Sequence, residues 1–276
     1  MDYYCASIPL DSVSEEIIVA FLAEAGFDMF ENVPEGLRAF IPAEGHTRES
    51  ILELVKDIPA EIIGEHWSLE FVPDQNWNET WEKSFSPVII ARQVVIRAPF
   101  HVSPDPSLTE LIIEPKMSFG TGHHPTTALM VEAMLAEKWS DKQVLDMGCG
   151  SGVLAILAEK LGATAVLAID IDDWAVQNTE ENVERNLCTS ISVQKGNAGL
   201  LSALKFHAIL ANINRNILLH DIPSYADVLE QGGTLFISGF LVQDESVLVE
   251  KAEAAGLSKS GARISDQWMM LEFVKQ

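Results

Sequence analysis

The sequence predicts an α/β protein in two parts: a small α+β unit, then a larger domain of alternating strands and helices. Three observations carry this. From residue 144 onward, strand-length apolar runs alternate with helix-length amphipathic stretches. One of those runs, Val144-Leu-Asp-Met147, passes directly into Gly148-Cys-Gly-Ser-Gly152 and then into an apolar helical segment. Strand, glycine turn and helix start make the layout of a nucleotide-cofactor site. Ahead of these, residues 1–72 read as β-α-β-β-α-β, a split βαβ or ferredoxin-like order.

In the first unit, residues 3–10 form a strand, and Ser12 with Glu15 makes a capping box for the next helix. Ile17, Ile18, Phe21, Leu22 and Ala25 then share one helical face, and Gly26 ends the helix. Two strands at 27–30 and 37–41 flank the turn 32–36. A second helix at 48–58 turns Ile51, Leu54, Val55 and Ile58 inward, and a strand at 68–72 closes the unit. Residues 73–86 carry Trp77, Trp81 and Phe85 at one-turn spacing, which predicts a short connecting helix with an aromatic stripe for packing.

The second domain is expected over 87–276. Residues 87–98 read as a hairpin and 111–114 as a strand. The stretch Pro115-Lys-Met-Ser-Phe-Gly-Thr-Gly-His-His-Pro-Thr-Thr-Ala128 is a polar loop between apolar elements, hence a candidate binding loop, with Thr126 or Thr127 opening a helix over 128–137. Strands follow at 144–147, 166–170, 191–194, 208–211 and 234–238, with helices at 151–161, 173–186, 214–230 and 243–255 between and after them, and a shorter stretch at 200–204. Two last strands at 257–264 and 268–274 have too short a link for a helix and pair antiparallel. Parallel strands with right-handed crossovers place a ligand at the switch point, outside the C-terminal strand ends.

Charge and cysteine content bound the function. Eighteen Lys and Arg face 41 Asp and Glu, a formal −23 at pH 7. That field repels phosphate backbones, and no basic run offsets it, so direct nucleic-acid binding is not expected. A basic partner would be attracted. Cys5, Cys149 and Cys188 are few, odd in number and widely spaced, fitting neither a disulfide framework nor a zinc site. A reducing cytoplasm is the expected setting, with no membrane association.

The glycine turn reads Asp146-x-Gly-x-Gly-x-Gly152 rather than Gly-x-Gly-x-x-Gly. An acidic residue ahead of the glycines disfavours a bound diphosphate and suits a cationic ligand, such as the ammonium and sulfonium of S-adenosylmethionine. Asp170, ending the next strand, is placed to accept both ribose hydroxyls. Asp172 reads as a cap for the following helix, and Asn197 as either a turn residue or an adenine neighbour. His123 and His124 are adjacent, with no third ligand at metal spacing, so they read as loop-packing residues and no metal is expected. Cys149 reads as a small space-filling residue.

Asp146-Met-Gly-Cys-Gly-Ser-Gly152, Ile169-Asp-Ile-Asp172 and Asn212 after the fourth strand resemble the Rossmann-like, seven-stranded S-adenosylmethionine-dependent methyltransferases. Phe119-Gly-Thr-Gly-His-His-Pro-Thr-Thr-Ala-Leu129, Trp77-x3-Trp81 and the small N-terminal unit are similar to the bacterial ribosomal protein L-11 methyltransferases, over essentially the whole chain. The resemblance implies methylation of lysine ε-amines and the N-terminal α-amine of ribosomal protein L-11. It also implies a substrate-recognising N-terminal domain and a flexible linker. It carries Thr127, Gly148, Asp170 and Asn212 over as S-adenosylmethionine contacts. Asp146 and Gly150 join them from the reading of the turn, and Asn212 is the residue expected to orient the acceptor amine. A monomer is expected. One departure stands out: the family commonly continues after the asparagine with a hydrophobic pair, whereas Asn212-Ile-Asn-Arg-Asn216 is polar. The alternatives are a methyltransferase of another protein or small molecule, a non-catalytic S-adenosylmethionine-binding module, and a nicotinamide dehydrogenase. The absence of Pro-Pro-aromatic after Asn212 argues against planar amide acceptors.

Overall fold

A computed structural model describes residues 2–9, 15–33, 36–56, 58–63, 66–72, 86–116, 120, 122–202 and 204–276. The expected capping box at Ser12, the aromatic stripe of 73–86, and Phe119 and Thr121 of the loop lie outside these residues. The chain divides into two compact units, Met1–Phe85 and Ser86–Gln276.

The first unit contains β1 (Tyr3–Ile8), α1 (Glu15–Glu24), β2 (Met29–Val33), β3 (Gly36–Pro42), α2 (Arg48–Lys56), the short α3 (Ala60–Ile63) and β4 (Ser68–Val72). Its sheet runs β2-β3-β1-β4, and every neighbouring pair is antiparallel. Alternate residues of β1 and β3 (Ala6, Ile8, Leu37, Ala39, Ile41) point into one core with Ile18, Leu22, Ile51 and Val55 of the helices. The buried stripe of each helix is narrower than the periodicity predicts. Ile17 and Leu54 face outward, while Ile18, Leu22, Ile51 and Val55 are buried and Val19, Phe21 and Leu52 pack at the margin of the same core.

The second unit opens with β5 (Val88–Ile90) and β6 (Val94–Arg97), an antiparallel hairpin, with β7 (Thr109–Ile112) pairing parallel to β6. Next come α4 (Pro125–Leu135), β8 (Gln143–Met147), α5 (Val153–Lys160), β9 (Ala165–Asp170), α6 (Asp173–Arg185) and β10 (Ile191–Lys195). A 3-10 turn (Ala198–Leu200) leads to β11 (Phe206–Asn212), α7 (Arg215–Val228), β12 (Leu229–Leu241), α8 (Glu245–Ala254), β13 (Leu257–Ser265) and β14 (Trp268–Lys275).

These strands form a seven-stranded sheet in the order β10-β9-β8-β11-β12-β14-β13. The five from β10 to β12 are parallel, and β14 runs antiparallel to both of its neighbours, β12 and β13. The α/β expectation therefore holds, including the closing hairpin. Alternation along the strands splits the core into two layers. Val144, Val166, Ala208 and Phe236 face one cluster with α4 and α5. Leu145, Ile169, Ile209 and Leu235 face the other with α7 and α8. Chain order reverses between β8 and β11, so a crevice opens there at the C-terminal strand ends.

Several boundaries differ from expectation, among them β2, expected at 27–30 and found at Met29–Val33, and three of the differences have a local cause. The helix after the polar loop begins at Pro125, capped by His124 rather than by Thr126 or Thr127: the imidazole Nδ1 accepts from the Thr126 N–H. The 3-10 turn begins at Ala198, because Asn197 caps it, its Oδ1 accepting from Gly199 N–H at 2.9 Å. Leu229 and Glu230 belong to β12 rather than to the preceding helix, where Leu229 pairs with Phe206 of β11.

Candidate active site

At the end of β8 the backbone enters Gly148 with φ +73° and continues through Gly150 and Gly152, also at positive φ, into α5. A Cβ on Gly148 would lie 2.2 Å from Ile213 Cγ2, so a side chain is excluded by both angle and space. A Cβ on Gly239, at the end of β12, would lie 2.3 Å from the Ile213 carbonyl oxygen. Ile213 is thus gripped by two glycines, which fixes its neighbour Asn212 at the end of β11.

The turn is held from below by hydrogen bonds. Asp146 Oδ2 accepts from the Ala155 N–H at 3.0 Å, in the first turn of α5. Burial pushes the Asp146 carboxyl up to about 7, opposed by the Ala155 bond and assisted by the charge of Asp170. Thr179 donates to the Gly150 carbonyl at 3.0 Å, and Asn182 donates to the Ser151 carbonyl at 2.9 Å. Asn182 also accepts from the Glu114 N–H, just beyond β7. Ser151 donates to the Gly120 carbonyl at 2.9 Å and so ties the polar loop to the turn.

Asp170 terminates β9 with both oxygens engaged. Oδ2 accepts from the Gly150 N–H at 3.0 Å, and Oδ1 accepts from the Asp172 N–H at 3.1 Å. These two bonds fix the carboxylate rotamer and leave lone pairs over for a ligand. Asp172 caps α6, as its sequence context predicts, accepting from Trp174 N–H at 3.0 Å.

A cleft of about 510 Å³ runs along the C-terminal strand ends, within the range of small-ligand sites. Of the residues expected at a cofactor, Gly148, Gly150, Asp170 and Asn212 line it together. Thr127 and Asp146 are each 1% exposed and are not on its wall. Thr126 is on the wall instead, because helix entry at Pro125 turns consecutive residues by about 100°. Asn197 combines its capping bond with a place on the wall.

The histidines behave as loop residues. His123 donates to the Ser86 carbonyl at 3.0 Å, and His124 lies edge-on to Trp268 with centroids 4.6 Å apart. Among the described residues, no group of His, Cys, Asp or Glu could hold a metal ion. Burial raises the Cys149 thiol far above its ordinary range, so it remains a neutral space-filler. Wall residues that escape sequence reasoning include Trp174, Asp221 and Trp268. Trp268 opens a strand beyond the alternating pattern, and Asp221 and Trp174 sit inside helices whose periodicity says only that they are off the core stripe.

Residues 24–276 match the family described as Ribosomal protein L11 methyltransferase (PrmA). The chain belongs to this family. A ribosomal protein L11 methyltransferase of Porphyromonas gingivalis is 47% identical over 261 residues, spanning 94% of this chain and 90% of that protein. One from Phocaeicola vulgatus is 39% identical over 268 residues, spanning 96% of this chain and 95% of that protein. The crystal structure of a ribosomal protein L11 methylase from Lactobacillus delbrueckii subsp. bulgaricus superposes with a TM-score of 0.65 at 28% identity, covering 70% of this chain and all of that one.

The methyl donor of the family is S-adenosylmethionine, and the cleft suits it. The glycine turn allows close backbone approach, the Asp170 carboxylate retains acceptor capacity, and the buried Thr127 Oγ1 has no hydrogen-bond partner among the described residues. No helix among the described residues is long and apolar enough to cross a membrane.

Proposed function

We propose that the protein transfers methyl groups from S-adenosylmethionine to lysine ε-amines and the N-terminal α-amine of ribosomal protein L11. The observation that carries this is the joint placement of Gly148, Gly150, Asp170 and Asn212 on one cleft in a chain of this family. The names borne by the relatives support the L11 substrate.

When bound, S-adenosylmethionine supplies a methyl group on a sulfonium leaving group. Gly148 and Gly150 let the backbone approach its methionine portion, and Asp170 accepts from the ribose hydroxyls. Thr127 offers its hydroxyl from beside the wall, and Asp146 holds the turn in shape from beneath. Asn212, immobilised through Ile213, accepts from the incoming amine and aims its lone pair. The amine reacts neutral, having lost its proton to solvent, so no dedicated base is required. Orientation and exclusion of water then supply most of the rate gain.

The first unit, with its antiparallel sheet, is the substrate-recognition part, and the acidic surface favours a basic partner. The working form is a cytoplasmic monomer that does not bind nucleic acid directly. Incubating purified protein with labelled S-adenosylmethionine and L11, followed by mass spectrometry, tests this: methyl increments are expected on lysines and the N-terminus. Absence of any increment would remove L11 as substrate. The polar run Asn214-Arg215-Asn216 favours a second reading, another protein or small-molecule acceptor, which label transfer into a non-ribosomal fraction would reveal.

A further inference from the structure

Asp221 is a buried carboxylate (7% exposed) on the wall of the cleft, and nothing in the reaction outlined above uses it. It lies seven residues beyond Asn214, about 10 Å down the axis of α7 at the usual rise. The helix has two flanks beside its core stripe of Leu218, Ile222 and Tyr225. On one flank Arg215 pairs with Asp244 at 2.8 Å, and the Ala226 carbonyl accepts from Lys275 of β14, so this flank faces the turn between β12 and α8 and the end of β14. At 100° per residue, Ile217 and Asp221 fall on the opposite flank. The 3-10 turn after β10 packs against α7, and with β14 and the turn after β12 on the first flank it is the neighbour that falls to this one. Asp221 therefore belongs to the Gly196–Asn197 end of the cleft, away from Trp268.

The cofactor is linear: methionine, ribose, adenine. With methionine at the glycine turn of β8 and ribose at Asp170 of β9, adenine extends to the β10 end, where Asp221 is. The carboxylate is built to accept. His220 Nδ1 donates to Oδ1 at 2.6 Å, and the Tyr225 hydroxyl donates to Oδ2 at 3.4 Å. Burial and the neighbouring Asp221 hold the Tyr225 phenol far above its ordinary value, so it stays a donor. A carboxylate has about four lone-pair positions, and partners among the described residues take two.

Resting on the reading of this cleft as the S-adenosylmethionine site, we infer that Asp221 selects the purine by accepting a hydrogen bond from the 6-amino group of adenine. A purine without that amino group leaves a buried charge short of a partner, which is where hydrogen-bonding sites discriminate most.

The test is calorimetric binding of S-adenosylhomocysteine and of its 6-desamino analogue, in which hydrogen replaces the amino group. The unmodified protein should prefer the adenine form by about 10- to 100-fold, the worth of one hydrogen bond to a charged acceptor. Asp221→Leu should bring that ratio close to one, and Asp221→Asn, which keeps a neutral acceptor, should give an intermediate ratio. Either variant suffices if the other does not fold. A ratio unchanged in the folded variants overturns the inference while leaving the cofactor site intact. Failure of the unmodified protein to bind either nucleoside overturns the cofactor reading itself and this inference with it.

Discussion

Asp146 and Ala155, nine positions apart, are joined by a carboxylate-to-backbone bond of 3.0 Å that links the last residues of β8 to the first turn of α5. The carboxyl is buried and titrates at about 7, whereas in the unfolded chain it titrates near 4. Between those values the folded state holds the extra proton. Its contribution to stability is complete at low pH and is lost as pH rises through about 7. Asp146→Asn keeps an acceptor for Ala155 and abolishes the titration. The melting temperature of the variant, relative to the parent, should therefore rise between pH 5 and pH 8. A difference that stays constant over this range would refute the assignment.

Gly148→Ala meets two obstacles at once, a φ of +73° and the Ile213 side chain 2.2 Å from the new carbon. The expected loss is about 1–3 kcal/mol of stability. Cofactor affinity should fall at least about tenfold, because relief of the clash must move the wall itself. Calorimetric titration with S-adenosylhomocysteine, beside a thermal melt, separates the two effects.

Asp170 has a double task, since its two oxygens hold the Gly150 and Asp172 N–H groups. Asp170→Ala should weaken cofactor binding by about 10- to 100-fold, with Asp170→Asn in between. Equal affinity in all three proteins would show that the ribose lies elsewhere.

Asn182 is fully buried and bonds Ser151 of the glycine turn and Glu114 of the strand exit. Asn182→Ala leaves both backbone groups without their partner, at about 1–3 kcal/mol. A melting-temperature drop of about 2–12 °C is expected for a unit of this size. Hydrogen exchange should quicken at Glu114 and Gly152 more than at β11.

Much of this was legible in the sequence because it is local. Glycines between a strand and an apolar helix, with Asp170 closing the next strand, need no tertiary knowledge to interpret. What stayed hidden depends on rotation or on long-range pairing. Thr126 rather than Thr127 reaches the wall because His124, an uncommon cap, starts the helix earlier than a threonine would. Leu229 and Glu230 look helical until β11 is beside them as a pairing partner. Trp268 and His124 are 144 positions apart, and only the antiparallel return of β14 brings their rings together.

Ile213 is caught between Gly148 and Gly239, so a side chain at either glycine must displace it. Positions 214–216 lie beyond that anchor, and all three are polar in this chain. Asn214 shares the cleft wall and caps α7, whereas Arg215 and Asn216 are off that wall, so acceptor preference can be rewritten at 215 and 216 with the donor side left in place. Grafting another family member's residues 215 and 216 onto this chain should transplant substrate taste as an exchangeable fitting, with the methyl-donor seat carried over unchanged.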